Sequence, residues 1–465
     1  MPIARENPLI GVIGGFPEQL FVIVRWMLSA QLWKQALVAM LLAPLIGFLA
    51  FDLGWFPQAA ANVSSVTVTF GTAFLTFINL LVPPVVAFSV FVGIVSNNDL
   101  GAVKRIGLTA IATYACTTIL AVMVGAILAT AFMPLATAMV DPRLAEATLA
   151  SAGNLPAADG PPTVLEIFAE MIPQGNLISP FLEGKLLQII VIAVAMGIGT
   201  LAILNMAGGA MVEGAQIAVR MAEYGMGLFL RLLSWTMILV PLATFGFMFD
   251  AIVKQQSVTA MFAIIGFALV IFLGLLTLMT LYAVATKLLR GMTLRQIARA
   301  AREPLLITFS TASSSVAMPY TMKAAEENFG VAPHIARTTV PLGATVNMDG
   351  TSVYQVMALV FLISLFGDIA GVSVTVGTLT SVALLVVLYS VGTPGVPGGS
   401  VKVIQDVLTM FGIPPGVIGI ILPMDRLLDM SRSAVNVSGD LFTAGVTDRL
   451  CRDRITASKK NSHNR

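Results

Sequence analysis

Apolar residues gather in long runs along this chain, at about 35–51, 66–96, 106–133, 186–206, 226–249, 256–286, 335–367, 372–392 and 416–447. Runs of this length predict membrane-spanning helices, because about 20 residues cross a bilayer core. Positive charges orient them. Lys34 precedes the first run, residues 35–103 contain no Lys or Arg, and Lys104 and Arg105 follow the second run, which places that loop in the cytoplasm. The stretch 141–183 carries Asp141, Glu146, Asp159, Glu166, Glu170 and Glu183 against Arg143 alone, and reads as an outside loop. Lys287, Arg290, Arg295, Arg299 and Arg302 form the densest basic cluster and read as cytoplasmic, as does the basic tail 449–465. Both termini inside requires an even number of spans. Residues 1–32 set Arg5, Glu6, Glu18 and Arg25 between apolar stretches without a small-residue cleavage site, so they read as an interfacial amphipathic lead-in and not a signal peptide.

The last third of the chain departs from this pattern. At 310–319 the apolar sequence breaks into a Ser- and Thr-rich segment containing Ser313, Ser314 and Ser315. At 392–400 it breaks into Gly392, Thr393, Pro394, Gly395, Val396, Pro397, Gly398, Gly399 and Ser400. Each break is followed by an amphipathic stretch ending in a tag, Phe329-Gly330-Val331 and Phe411-Gly412-Ile413. A polar centre follows each tag at the same spacing: Asn347 lies 17 residues after Gly330, and Asp429 lies 17 after Gly412. Paired interruptions in corresponding positions point to a transporter built on repeats. Two ordinary turn-rich loops are the plainer alternative.

Composition sharpens this picture. Hydrophobic residues make up 57% and charged residues 11%, with net charge +2 and mean hydropathy +0.91. A soluble domain carries about 25% charged residues. Disordered, collagen-like and nucleic-acid-binding classes are excluded, a soluble enzyme is disfavoured, and an all-α polytopic membrane protein of roughly eight to ten spans remains. Cys116 and Cys451 form no framework of bridges, and with His334 and His463 as the only histidines no His-based transition-metal site is expected.

The chemistry concentrates where charge enters apolar sequence. Asp425, Asp429, Arg432, Ser433, Asn436 and Asp440 step by 4, 3, 1, 3 and 4 residues and so share one helix face. Ionisable groups inside a span are costly unless paired or hydrated. Three carboxylates against one guanidinium leave surplus negative charge for a cation to complete. Arg432 offers a planar fork to a carboxylate, and Asp429 accepts from an ammonium. A structural Asp429–Arg432 ion pair is the plainer reading of those two residues. In Asn347-Met348-Asp349-Gly350-Thr351, hard oxygen donors suit Na⁺ better than soft metals, and Gly350 is expected to loosen the helix there. A protonated Asp349 in a hydrogen-bond network is the alternative. Tyr114, Thr117 and Thr118 form a weaker cluster that, read alone, bonds back to its own helix.

With these motifs in view, the chain resembles the glutamate transporter family, the dicarboxylate/amino acid:cation symporters, from about residue 33 to 450. The resemblance rests on Ser313-Ser314-Ser315, Asn347-Met348-Asp349-Gly350-Thr351, Gly395-Val396-Pro397-Gly398 and Asp425 through Asp440, in that order. It implies eight transmembrane helices, two re-entrant hairpins (about 296–330 and 370–414), a homotrimer, and elevator movement of a transport domain. Residues 33–255 would be mainly scaffold, with 104–134 packing on the transport domain, and 256–448 mainly transport domain. The resemblance implies no catalytic residue and no cofactor beyond Na⁺ as coupling ion, with H⁺ as the alternative.

Carried over by residue, it assigns Arg432 to the substrate's side-chain carboxylate and Asp429 to its amino group. Asn436, Ser433, Thr351, Ser314 and Ser315 would hold its main-chain groups, with Val396, Pro397 and Gly398 at the second hairpin tip. Asp440, Asn347, Gly343 and Asn436 would form one Na⁺ site. Asp349, Asn347, Tyr114, Thr117 and Thr118 would form a second, and Thr345, Met348, Ser390, Val391 and Thr393 a third.

Two departures stand out. Ala312 and Met430 occupy the positions where archaeal and animal members respectively place an extra arginine, so the chain is expected to lack that cation, which leaves counter-transport open. Pro394 and Ser400 vary the second tip. Asp429 and Asp440 favour an amino acid and Na⁺ over a C4-dicarboxylate, and Arg432 favours an acidic substrate over a neutral one. The expected function is Na⁺-coupled import of aspartate or glutamate through membrane lipid, in a bacterial inner membrane. C4-dicarboxylate or cystine transport, an ion channel, and an intramembrane aspartyl protease using Asp349 and Asp440 are the competing readings.

Overall fold

The computed structural model describes residues 32–95, 102–152, 160–173, 175–206, 208–255, 260–390, 395 and 398–462, and every regular element among them is helical. The first half contains α1 (Leu32–Gly47), α2 (Pro57–Val95), α3 (Ala102–Thr137), α4 (Pro142–Ala152), α5 (Val164–Glu170), α6 (Ser179–Glu183), α7 (Leu186–Leu204), α8 (Ala210–Thr236) and α9 (Val240–Gln255). The second half contains α10 (Ala260–Arg290), α11 (Leu294–Thr311), α12 (Ser314–Lys323), α13 (Pro333–Val346), α14 (Asp349–Phe366), α15 (Val376–Ser390), α16 (Gly399–Met410) and α17 (Leu422–Ser462). Most of the lead-in, and Val391, Thr393, Pro394, Val396 and Pro397, lie outside the described residues.

Seven stretches among the described residues are long and apolar enough to cross a membrane. Outward-facing Leu80, Ile127, Leu269 and Leu276 suit a lipid surround. The expectation of eight spans differs by α17, which is 41 residues long but carries the charged stripe that removes it from a hydropathy count. Two helices also begin earlier than the apolar runs. The start of α2 is polar, with Ser65 and Thr67 hydroxyls donating to the carbonyls of Asn62 (2.8 Å) and Val63 (3.0 Å) of their own helix. The first half of α8 carries Glu213, Arg220 and Glu223, which mask it in an apolar pattern.

The helices pack in two groups. α1, α2, α7, α8 and α9 pack on one another, and α3 joins α10 through α14 and α17 in the other. α16 and α17 meet α2, α9 and α1 where the groups touch.

Both interrupted segments fold as helical hairpins. In the first, Thr293 caps α11 in a reciprocal capping box with Gln296. α11 ends at Ala312, whose φ of 54° is left-handed, and Ser313 then caps α12. α15 and α16 flank the second tip. Each tag is a left-handed helix stop, with Gly330 at φ 65° and Gly412 at φ 70°, which explains a glycine in both.

The apolar run 335–367 is broken in two. Asn347 (φ −102°, ψ 84°) and Met348 (φ −106°, ψ 48°) leave helical geometry between α13 and α14. The expectation that Gly350 loosens the helix is therefore corrected. Gly350 is helical, and its missing side chain lets α14 close on the Arg432 carbonyl and the Val435 side chain of α17.

Candidate substrate and cation site

α17 presents its polar stripe to α14, and the packing is close enough for side chains of one to serve the backbone of the other. The Asn436 Oδ1 accepts from the Gly350 N–H at 2.8 Å and the Thr351 N–H at 3.2 Å. In an unbroken helix those two N–H groups would bond to the carbonyls of Val346 and Asn347. The break thus deprives those two carbonyl oxygens of their helical partners, midway along a stretch apolar enough to cross a membrane and beside Asp349. The Asn436 Nδ2 lies 3.2 Å from both the Met348 sulfur and the Thr351 hydroxyl.

At one end of the stripe stands Arg432, buried to 1% exposure. Its Nη2 is 2.8 Å from Asp429 Oδ1 and its Nη1 3.1 Å from Asp425 Oδ1. The guanidinium lies over the Tyr354 ring at 4.3 Å, and the Tyr354 hydroxyl donates to Asp425 at 2.9 Å. The Asp429–Arg432 ion pair of the plainer reading is thus formed, with Asp425 and Tyr354 added to it.

The hairpin tips meet nearby. The Ser313 hydroxyl donates to the Gly395 carbonyl at 3.0 Å. Gly395 also lies against Ser314, the Ala344 carbonyl and the Met348 methyl group. The buried Ser314 hydroxyl has no hydrogen-bond partner among the described residues. Ser433 is buried on α17, Ser315 is half-buried, and Gly398 opens α16 at φ 82°.

At the other end, oxygen donors converge on Asp349, Asn347 and Asp440, all buried. The Tyr282 hydroxyl donates to Asp349 Oδ2 at 2.5 Å and the Thr118 hydroxyl to Oδ1 at 3.0 Å. The Asn347 Nδ2 donates to Asp440 Oδ1 at 3.1 Å. The Thr117 hydroxyl lies 3.1 Å from Asn347 Oδ1 and 3.0 Å from the Tyr114 carbonyl of its own helix. The Tyr114 hydroxyl donates to the Thr339 carbonyl at 2.8 Å, and Gly343 packs against it and Asp440.

Asn436 serves α14 through its Oδ1 and stands one helical turn before Asp440 on α17. Of the third cation set, Thr345 and Ser390 hydroxyls donate to the carbonyls of Leu342 (2.9 Å) and Val387 (2.8 Å) on their own helices, and Val391 and Thr393 lie outside the described residues. The described residues contain no cluster of three or more His, Cys, Asp or Glu that could hold a metal. The donors present are hard oxygens suited to an alkali cation.

The sequence pattern left three partners unnamed. Tyr282 and Tyr354 looked like ordinary aromatics in apolar helices. Arg426 sits three residues before Asp429, a helical-neighbour spacing that gave the available signal. Its Nη1 is 3.8 Å from Asp429 Oδ2. Arg426 thus places a second guanidinium beside Asp429, from a position other than those of Ala312 and Met430.

Residues 32–450 match the sodium:dicarboxylate symporter family. The chain belongs to that family. Among relatives of this symporter, the Geobacillus stearothermophilus proton/sodium-glutamate symport protein is 28% identical over 384 residues, covering 80% of this chain and 85% of the relative. The human neutral amino acid transporter B(0) is 29% identical over 408 residues, 81% of this chain and 72% of the relative. The Laribacter hongkongensis C4-dicarboxylate transport protein is 26% identical over 445 residues, 93% of each. The chain is therefore an all-α polytopic membrane symporter of small molecules coupled to cations, not an enzyme.

Proposed function

We propose that this symporter imports acidic amino acids, aspartate or glutamate, driven by Na⁺. The observation that carries the reading is the join at Asn347–Met348. Asn347 bonds to Asp440 (3.1 Å), and Met348 touches Asn436 (3.2 Å) at the substrate end. A cation drawing in Asp440, Asp349 and the freed carbonyls would order the break. That would hold Asn436, Thr351 and the hairpin tips in place for the substrate. Linkage requires the substrate to favour the cation equally.

In this mechanism the substrate's side-chain carboxylate takes the Arg432 fork, displacing the carboxylates that now occupy it. Its ammonium goes to Asp429, and its main-chain carboxylate to Asn436, Thr351, Ser433 and the unpartnered Ser314 hydroxyl, beside Ser315, Val396, Pro397 and Gly398. Tyr114, Thr117 and Thr118 complete the Asp349 cation site, Gly343 and Asn436 the Asp440 site, and Thr345, Met348, Ser390, Val391 and Thr393 a third as the second hairpin closes. Each inward Na⁺ supplies about 2.3 kcal/mol per 100 mV. The two helix groups support an elevator in which the α10–α17 group, with α3, moves against α1, α2 and α7–α9. α17 would be the eighth span, both termini cytoplasmic, and the protein a homotrimer in a bacterial inner membrane.

The test is uptake of labelled L-aspartate and L-glutamate into proteoliposomes, with and without an inward Na⁺ gradient, beside Arg432→Ala. Concentrative Na⁺-dependent uptake that the variant loses is expected. Uptake that ignores Na⁺ and follows a pH gradient would overturn Na⁺ coupling, and uptake of neither amino acid would overturn the substrate.

A further inference from the structure

The proposed site accounts for one guanidinium, Arg432, and leaves a second without a role. Arg426 lies on α17 with its side chain 9% exposed. Its Nε and Nη1 have no hydrogen-bond partner among the described residues. The 3.8 Å approach of Nη1 to Asp429 is an ion pair too long for a hydrogen bond. A buried donor left unmade is costly, and a buried guanidinium more so. The side chain borders a small cavity of about 20 Å³, lined also by Phe74, Thr244, Phe247, Gly398, Asp425 and Asp429, which a bound substrate would have to widen. Arg426 therefore shares this cavity with Gly398 at the start of α16 and with both carboxylates that grip Arg432.

Charge counting gives the consequence. Asp425 and Asp429 are balanced by Arg426 and Arg432, so the substrate end is neutral when empty. An amino acid's ammonium must then compete with two guanidiniums for Asp429. A second carboxylate on the substrate, by contrast, meets N–H groups that make no hydrogen bond among the described residues.

We propose that Arg426 is a specificity-determining residue of the substrate site, a second carboxylate anchor that decides how strongly transport depends on the substrate's amino group. The inference rests on the proposed acidic substrate. With Arg426 in place, a short aliphatic diacid lacking the amine engages Arg432 with one carboxylate and Arg426 with the other. Without it, Asp429 is released to accept the ammonium, and the amino acid gains on the diacid.

The experiment compares full-length protein, Arg426→Gln and Arg426→Lys in proteoliposomes. Apparent affinities are measured for labelled aspartate and labelled succinate, the same carbon skeleton without the amine. Loss of a charged hydrogen-bonded contact predicts a change of about tenfold or more in the succinate-to-aspartate KM ratio in Arg426→Gln. Arg426→Lys, which keeps the charge, should restore part of that ratio. A purely structural role would lower both uptakes through maximal rate and leave the ratio alone, which overturns the inference. So does unmodified protein that takes up aspartate but neither carries succinate nor is competed by it, and this outcome leaves the proposed function standing. Succinate uptake without aspartate uptake, with the succinate KM rising in Arg426→Gln, supports the Arg426 role and sinks the amino-acid reading.

Discussion

The Asn347 side-chain amide donates to Asp440 at 3.1 Å across the gap between a broken helix and α17. The two residues are 93 positions apart in sequence. The contact matters because Asn347 is itself the residue at which the helix breaks. A change of charge at Asp440 is felt directly by backbone that leads, one residue on, to Met348 and the substrate end.

Asp440→Asn tests that connection. It removes one of the carboxylates proposed to attract the cation while keeping the shape of the side chain. The apparent Na⁺ affinity should fall about tenfold or more, the scale of one charged contact, with substrate affinity recovering at saturating Na⁺. Titration of Na⁺-dependent uptake reads this, and an unchanged Na⁺ curve would count against the Asp440 site.

Tyr282→Phe removes the shorter of the two hydroxyl contacts to Asp349 and leaves a buried oxygen one donor short. The ring stacks on Phe442 at 5.2 Å and should stay in place. Thermal unfolding in detergent should show a loss of about 1–3 kcal/mol. Added Na⁺ should stabilise the variant more than the unmodified protein, because the cation supplies what the hydroxyl no longer does.

Ser313→Ala removes both the α12 cap and the bond to the Gly395 carbonyl. The cap alone is worth about 1 kcal/mol. Substrate affinity should weaken through faster dissociation as the tips part more readily. A binding measurement with separated on- and off-rates distinguishes this from damage to the pocket, which would alter association as well.

Gly350→Ala places a methyl group against the Arg432 carbonyl and Val435. Overpacking of this kind costs about 1–3 kcal/mol, and here it also parts Asn436 from the backbone of α14. Gly107→Ala is the control, since a side chain added there meets nothing within 4 Å. Size-exclusion profiles and melting temperatures should separate the two variants.

Much of this site is legible in sequence because charge is rare in apolar helices. Asp349, Arg432 and Asp440 stand out on cost alone, and the helical steps from Asp425 to Asp440 put the stripe on one face. The break was legible as a region but not as a residue. Glycine is the usual suspect, whereas close packing of α14 on α17 claims Gly350 and moves the break to Asn347 and Met348. Tyr282 and Tyr354 were silent because a tyrosine in an apolar helix looks the same whether it packs or donates a proton. Arg426 was readable from its spacing to Asp429, but about 100° round the helix from Asp425 it falls just outside the stripe. The structure gives Asp425 to Arg432 and Tyr354.

The central claim is that cation and substrate sites are coupled through Asn347 and Met348. The most direct test is equilibrium binding of L-aspartate to purified protein across a range of Na⁺ concentrations, with the reciprocal titration of Na⁺ at fixed aspartate. The account predicts that aspartate affinity rises steeply with Na⁺ and that Na⁺ affinity rises by the same coupling factor with aspartate. Aspartate binding of constant affinity with and without Na⁺ would contradict it.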